Sequence, residues 1–337
     1  MEKLPQIDTK NTPTENRSFF KKIAQKAMAT GQKTETTEKK YYETYAEFTA
    51  DEITSFRNEL LSVDSDEAKK IVDSRIAILE EKADKPAVIS RLPQDQHIHR
   101  GYISRDTVVS FDGTIGGQYK LRNTEYLYDA VEYLRDNKER INSHIRLFEH
   151  LAGFLNSYFG IPDTSKDRWE ALNAKTNFSS AKDDDEYWDI INNIDISIFK
   201  GECIAQCSER SAMAQNVMAL LGYETYYAIG DVSVDGKNEG HAYNIVTTPR
   251  GAKSIVDYSV LSSLEYGGLS WDMPTMVNIE DYDAFAAGGR LEASTHRHII
   301  QEDGTVIHKP ARALEYGMLA PGFFNNAPNT SVQNPVE

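Results

Sequence analysis

Between Gly201 and Val260 the hydrophobic pattern changes period, and that change constrains the fold more than any other feature of the chain. Met213, Val217, Leu220 and Leu221 recur at i, i+4, i+7 and i+8, the spacing of one apolar stripe on a helix, and Gly222 stands where a C′ glycine ends one. The spacing predicts a buried helix over about 207–221. Beyond Gly222 the pattern becomes β-like, with Thr225–Ile229 β-branched or aromatic and Asp235-Gly236 marking a turn. Two further apolar runs, His241–Thr247 and Lys253–Tyr258, flank Thr248-Pro249-Arg250-Gly251-Ala252, a hairpin connection. A helix followed by strands joined through short turns is expected to pack as a helix on an antiparallel sheet, an α+β fold.

The same stretch carries the chemistry. Cys207 opens the predicted helix, where unsatisfied amide hydrogens and the helix dipole favour a thiolate, and Glu209 in the first turn suits the positive end of that dipole. Paired positions in an antiparallel hairpin share one index sum. A sum of 498 for His241 and Asp257 centres the turn on Pro249, so the two residues are expected directly or nearly opposite each other. Cross-strand neighbours lie about 4.5–5.5 Å apart, so the carboxylate can accept a hydrogen bond from one imidazole nitrogen and leave the other to act as a base. A carboxylate-oriented histidine beside a thiol is the arrangement that activates a cysteine nucleophile. The expected catalytic set is Cys207, His241 and Asp257, with Cys203 as the alternative nucleophile. The Cys207 backbone amide and the Gln206 side chain are the candidate oxyanion donors.

A cysteine opening a helix that ends in Leu221-Gly222, then a strand, then His241-Ala242-Tyr243, then an aspartate on the next strand, resembles the core pattern of the transglutaminase-like superfamily over roughly residues 185–265. The 15-residue interval from Cys207 to Gly222 matches that pattern, and Cys203 lacks it. Two positions depart from it. Ala205 stands where members often have glycine, and Ser208 stands where animal protein-crosslinking enzymes have Trp, so their substrate preference and calcium control are not carried over. The resemblance implies a papain-like Cys-His-Asp core performing thiol-dependent acyl transfer at an amide bond of a protein or peptide substrate. With water as acceptor this is a cysteine peptidase or amidohydrolase. The alternatives are a protein-glutamine transglutaminase or deamidase, an arylamine-type acetyltransferase using a thioester donor, and, in another class, a non-catalytic interaction protein on the same fold.

Around this core the chain is expected to fall into four parts. Residues 1–48 form a flexible basic tail, since residues 1–40 carry nine Lys and Arg against five acids and few large apolar residues. Residues 49–88 form a helical hairpin, with Ile53, Phe56, Leu60 and Leu61 on one helix and Ile71, Ile76 and Leu79 on the next, after a Ser65-Asp66-Glu67 cap. Residues 89–318 form the catalytic domain, following a boundary near 85–100. It begins with a short hairpin around Asp112-Gly113 and two helical stripes, Leu127, Val131 and Leu134, then Ile141, Ile145, Phe148, Leu151, Ala152 and Leu155, stopped by Gly160-Ile161-Pro162. The acidic run Asp183–Glu186 reads as a solvated loop before a short helix near Tyr187–Ile191. His296–Gln301 and Thr305–His308, across Asp303-Gly304, read as a hairpin adding strands to the sheet. Residues 319–337 read as a loose tail.

Composition narrows the class. A net charge of −15 argues against nucleic acid and anionic membrane as partners. No apolar run is long enough for a membrane span and the N-terminus has no secretory h-region, so a cytoplasmic location is expected. Two cysteines cannot make a disulfide framework and are expected to be free thiols. No phosphate loop or dinucleotide fingerprint points to a cofactor. The pairs His97/His99 and His296/His298 are too far apart in sequence to suggest a zinc site, so no metal is expected.

Overall fold

In a computed structural model, the protein is described over residues 58, 60–83, 98–110, 118–141, 143–163, 165–247, 251–259, 274–300 and 306–318. The expected basic tail, most of the first helix of the 49–88 hairpin, the boundary near 85–100 and the C-terminal tail lie largely outside these residues.

The helical periods of the first half become short capped helices around one core. Residues 60–62 are helical and the helix is interrupted at 63–64. Helix α1 (Ser65–Lys82) then begins at Asp64, whose carboxylate accepts the Glu67 N–H at 2.9 Å, and buries Ala68, Val72, Ile76 and Leu79. It packs on helix α2 (Glu125–Asp136), which buries Tyr126, Leu127, Ala130, Val131 and Leu134. Helix α3 (His144–Phe159) starts at a Ser143 cap and ends at Gly160, whose φ of +78° is open to glycine but strained for other residues. The second predicted stripe starts later than expected. Ile141 precedes the helix, Ile145 is 56% exposed, and the buried face runs from Leu147 to Phe159.

Helices α4 (Arg168–Thr176) and α5 (Asp184–Asn192) follow. The acidic run is not a loop: Asp183 caps α5 by accepting the Glu186 N–H, and Asp184, Asp185 and Glu186 form its first turn. Carboxylates are favourable there because the positive end of the helix dipole lies among them.

Helix α6 (Cys207–Leu220) is the central one: every residue from Ser208 to Leu220 is buried. Gly222, at φ +89°, turns the chain out of it. The strand that follows is longer than the sequence implied. β4 (Thr225–Val234) and β5 (Lys237–Thr247) are joined by Asp235-Gly236, both at positive φ, with Val234 paired to Lys237 in a two-residue hairpin turn.

β6 (Lys253–Asp257), β7 (Thr275–Ile279), β8 (Arg290–Ile300) and β9 (Val306–Met318) complete an antiparallel sheet of order β7-β6-β5-β4-β9-β8. The short β1 (Ile98–Arg100) pairs with the first part of β4, and β9 pairs with its second part. The expected β8–β9 hairpin is therefore present and joins the sheet through β4. The short pair β2 (Val109–Ser110) and β3 (Gln118–Tyr119) stands apart, with its tip outside the described residues.

Helix α6 lies against β4 and β5. Ser211 Oγ donates to the Ala242 carbonyl at 3.0 Å, and Asn244 Nδ2 donates to the Ser211 carbonyl at 3.0 Å. Tyr227, Ala242, Val246 and Val256 share a core with the helices, whereas Tyr226, Tyr243, Ile245, Ile255 and Tyr316 form a second cluster with the short helix α7 (Tyr282–Ala286). The fold is α+β with an antiparallel sheet, as the change of period in the sequence implied.

Candidate active site

The start of α6 is held by buried charge. The Gln206 N–H donates to Glu209 Oε2 at 2.8 Å, and Glu209 Oε1 receives Arg168 Nη2 from α4 at 2.6 Å. The Glu209 side chain is 0% exposed and that of Arg168 10%, so the pair sits in protein rather than water. Arg168 also donates to the Ile204 carbonyl, just before the helix. From β3, the Tyr119 hydroxyl donates to the Ser208 carbonyl at 2.8 Å. Arg210, almost fully buried, donates to Asn156 Oδ1 at 2.8 Å and to the Gly160 carbonyl at 2.7 Å; burial lowers its pKa to about 9. These contacts set the position of Cys207, which is half-buried at the first residue of the helix.

Cys203 is differently placed. It lies in the loop before α6 at φ +61°, its N–H donates to the Phe159 carbonyl at 2.9 Å, and its carbonyl accepts the Asp163 N–H at 2.7 Å. Its thiol faces the backbone near Gly160 and Gly201. The helix N-terminus therefore belongs to Cys207. Gln206 is exposed at the N-cap, with its backbone N–H already given to Glu209.

His241 and Asp257 come together, but not in the expected register. The β5–β6 ladder pairs Asn244 with Val256 and Thr247 with Lys253, an index sum of 500 rather than 498. Asp257 is thus diagonal to His241, two residues off the directly opposite position. Two residues is one full period of the pleat, so both side chains still leave the same face, and diagonal neighbours remain within reach of long side chains. His241 Nε2 and Asp257 Oδ2 are 2.7 Å apart, with 5% and 0% of their side chains exposed.

Around the carboxylate, Ser259 N–H and Oγ–H donate to Oδ1 at 2.9 and 3.0 Å, and the Tyr316 hydroxyl donates to Oδ2 at 2.9 Å. Ser259 Oγ is also 3.5 Å from His241 Nε2. The imidazole lies over the Tyr243 ring, with centroids 6.2 Å apart and planes 24° from parallel.

Burial opposes the charged form of both partners, and their pairing overcomes it. Burial alone would lower the His241 pKa, yet the Asp257 charge, the hydrogen bond between them and the influence of Cys207 raise it well above the usual histidine value. Burial would raise Asp257, yet the His241 charge and the donors from His241, Ser259 and Tyr316 hold it below the usual carboxylate range. Cys207 is close enough to the imidazole to push its pKa in the same upward direction. Burial raises the pKa of the Tyr119 and Tyr227 hydroxyls, and Cys207 adds to the effect on each.

Several contributors were not legible in advance. Ser259, two residues after Asp257, has the spacing of a local turn that folds back on a carboxylate. Arg168, Tyr119 and Tyr316 reach the site from α4, β3 and β9, tens of residues away, and carried no local signal. The buried His99 has its Nε2 3.2 Å from the Tyr102 carbonyl, His97 lies outside the described residues, and so do the side chains of His296 and His298. Among the described residues no group of three or more His, Cys, Asp or Glu is placed to hold a metal ion, and no helix is long and apolar enough to cross a membrane.

No protein-family model, curated protein or solved structure matches this chain.

Proposed function

We propose that the protein is a cysteine peptidase or amidohydrolase with a transglutaminase-like core, acting on protein or peptide amides through Cys207, His241 and Asp257. The observation that carries this reading is the buried 2.7 Å bond between His241 Nε2 and Asp257 Oδ2, on an imidazole that also responds to the thiol opening α6. With Nε2 committed to the carboxylate, Nδ1 is the nitrogen left to exchange a proton with Cys207. The thiolate attacks the amide carbonyl carbon, and the Cys207 backbone N–H, assisted by the Gln206 side chain, stabilises the oxyanion. His241 returns the proton to the leaving amine as the C–N bond breaks. It then takes a proton from water, which cleaves the thioester and restores the thiol. Asp257 holds the ring tautomer and stabilises the imidazolium throughout. Hydrolysis is favoured over transamidation because it requires no site for a second substrate.

The test is the pH dependence of iodoacetamide labelling, read by mass spectrometry, in wild type, Cys203→Ala and His241→Ala. Rapid labelling of Cys207 well below pH 8.5, retained in Cys203→Ala and slowed at least tenfold in His241→Ala, is the expected result. Slow labelling of both cysteines, indifferent to His241, would overturn the triad and favour an interaction protein on this fold. Peptide and glutamine substrates then separate hydrolysis from transamidation.

A further inference from the structure

We propose that Tyr316, on β9, is a positioning residue of this site: its hydroxyl shares Asp257 Oδ2 with His241 and thereby sets how strongly the carboxylate holds the imidazole proton. The inference rests on the catalytic reading above and extends the site to a strand outside its local motif. Two donors meet at one oxygen, His241 Nε2 at 2.7 Å and Tyr316 Oη at 2.9 Å, while Ser259 provides two donors to the other. A carboxylate has about four acceptor positions, so these four donors fix its orientation and divide its charge. Tyr316 is 0% exposed, and its ring meets that of Tyr243 edge-on at 5.4 Å, so its hydroxyl is directed by packing rather than by solvent.

The backbone shows how β9 comes to supply this group. Val232 pairs with Tyr316, Asp231 with Gly317 and Gly230 with Met318, and Gly230 also pairs with His241 on β5. At Gly230 and Gly317 the two strands approach so closely that a Cβ on Gly230 would collide with the Gly317 carbonyl oxygen. Tyr243, stacked on His241, donates its hydroxyl to that same carbonyl at 3.2 Å. Next to it, Arg290 at the start of β8 binds both oxygens of Asp231 at 2.7 and 2.6 Å. The strand carrying Tyr316 is thus tied to the strands beside the histidine at a tight crossing of two glycines, Gly230 and Gly317.

A donor that withdraws charge from Oδ2 weakens the hold of that oxygen on the imidazolium. Removing the donor strengthens that hold, and a more acidic donor weakens it further. Tyr316→Phe is therefore expected to move the His241 titration, followed by imidazole nitrogen NMR, upward by on the order of 0.5–1 pH unit, with the pH profile of Cys207 labelling moving with it. Replacing Tyr316 with 3-fluorotyrosine, a stronger donor of nearly the same shape, is expected to move both downward. A residue with a packing role alone would change stability without giving shifts of opposite sign. Unmoved His241 titrations in both variants, with His241→Ala still slowing labelling, would overturn the role of Tyr316 and leave the triad standing. Labelling indifferent to His241→Ala would overturn the triad, and the positioning role of Tyr316 with it. If Tyr316→Phe does not fold, the fluorotyrosine variant decides by itself: a downward shift supports the assignment and no shift refutes it.

Discussion

Replacing Arg168 with Met tests whether the buried ion pair at the start of α6 holds the site in place. The perturbation removes the partner of a carboxylate that is 0% exposed and 2.6 Å from the guanidinium. Breaking a buried pair from one side costs about 3–5 kcal/mol, because the remaining charge has lost its compensation. The remaining acid has an escape that caps this cost. An ordinary glutamate titrates near 4.3 and each pH unit is worth 1.36 kcal/mol, so taking up a proton costs about 3.7 kcal/mol at pH 7 and about 1 kcal/mol at pH 5. The lost hydrogen bond to the Ile204 carbonyl adds about 1 kcal/mol at either pH.

Arg168→Met should therefore destabilise the fold by about 4–5 kcal/mol at pH 7 and about 2 kcal/mol at pH 5. Urea unfolding at the two pH values, followed by tryptophan fluorescence, reads the difference directly. Glu209→Gln, alone and combined with Arg168→Met, completes a double-mutant cycle. Its cost once the guanidinium is gone should be small or favourable, because no uncompensated charge is then buried. A loss below about 1 kcal/mol at pH 7, or one of equal size at both pH values, would refute the reasoning and show that water or another cation compensates Glu209.

Two further outcomes follow from the same structure. The His241–Asp257 pairing stabilises the fold from above the unfolded aspartate value near 3.9 up to about 6.5; it fades as pH falls through the lowered Asp257 value, and again as pH rises from about 6.5 through the raised His241 value. The melting-temperature gap between wild type and Asp257→Asn should accordingly be widest at about pH 5–6.5 and narrow on both sides, and a gap constant from pH 4 to 10 would contradict the pairing. Gly230→Ala should destabilise by about 1–3 kcal/mol or more through the clash with the Gly317 carbonyl oxygen, seen as a lowered urea midpoint; an unchanged midpoint would show that β4 and β9 do not approach as described.

What the chain declares locally and what it leaves to packing are well separated here. The period of the apolar residues in 207–221 and the β-branched runs after Gly222 were enough to place α6 on an antiparallel sheet, because a helix stripe and a strand alternation are local facts. The same locality placed Cys207 at a helix start and put His241 and Asp257 on adjacent strands. It put the register two residues off, since the residues of the turn leave its centre open between Pro249 and Arg250, and a slip of one full pleat period keeps the same side chains on the same face. The acidic run at 183–186 reads as a loop because a string of carboxylates looks solvated, whereas its position before an apolar turn makes it a helix start.

The sequence by itself therefore determined the helix that starts at Cys207 and the strands that follow it, and it put Cys207, His241 and Asp257 forward as the candidate site. Tertiary structure decided everything that depends on segments distant along the chain. It brought Arg168 onto Glu209, Tyr119 onto the Ser208 carbonyl and Tyr316 onto Asp257, and placed β9 beside β4. Such contacts arise from how helices and strands pack, and no short-range spacing in the chain encodes them.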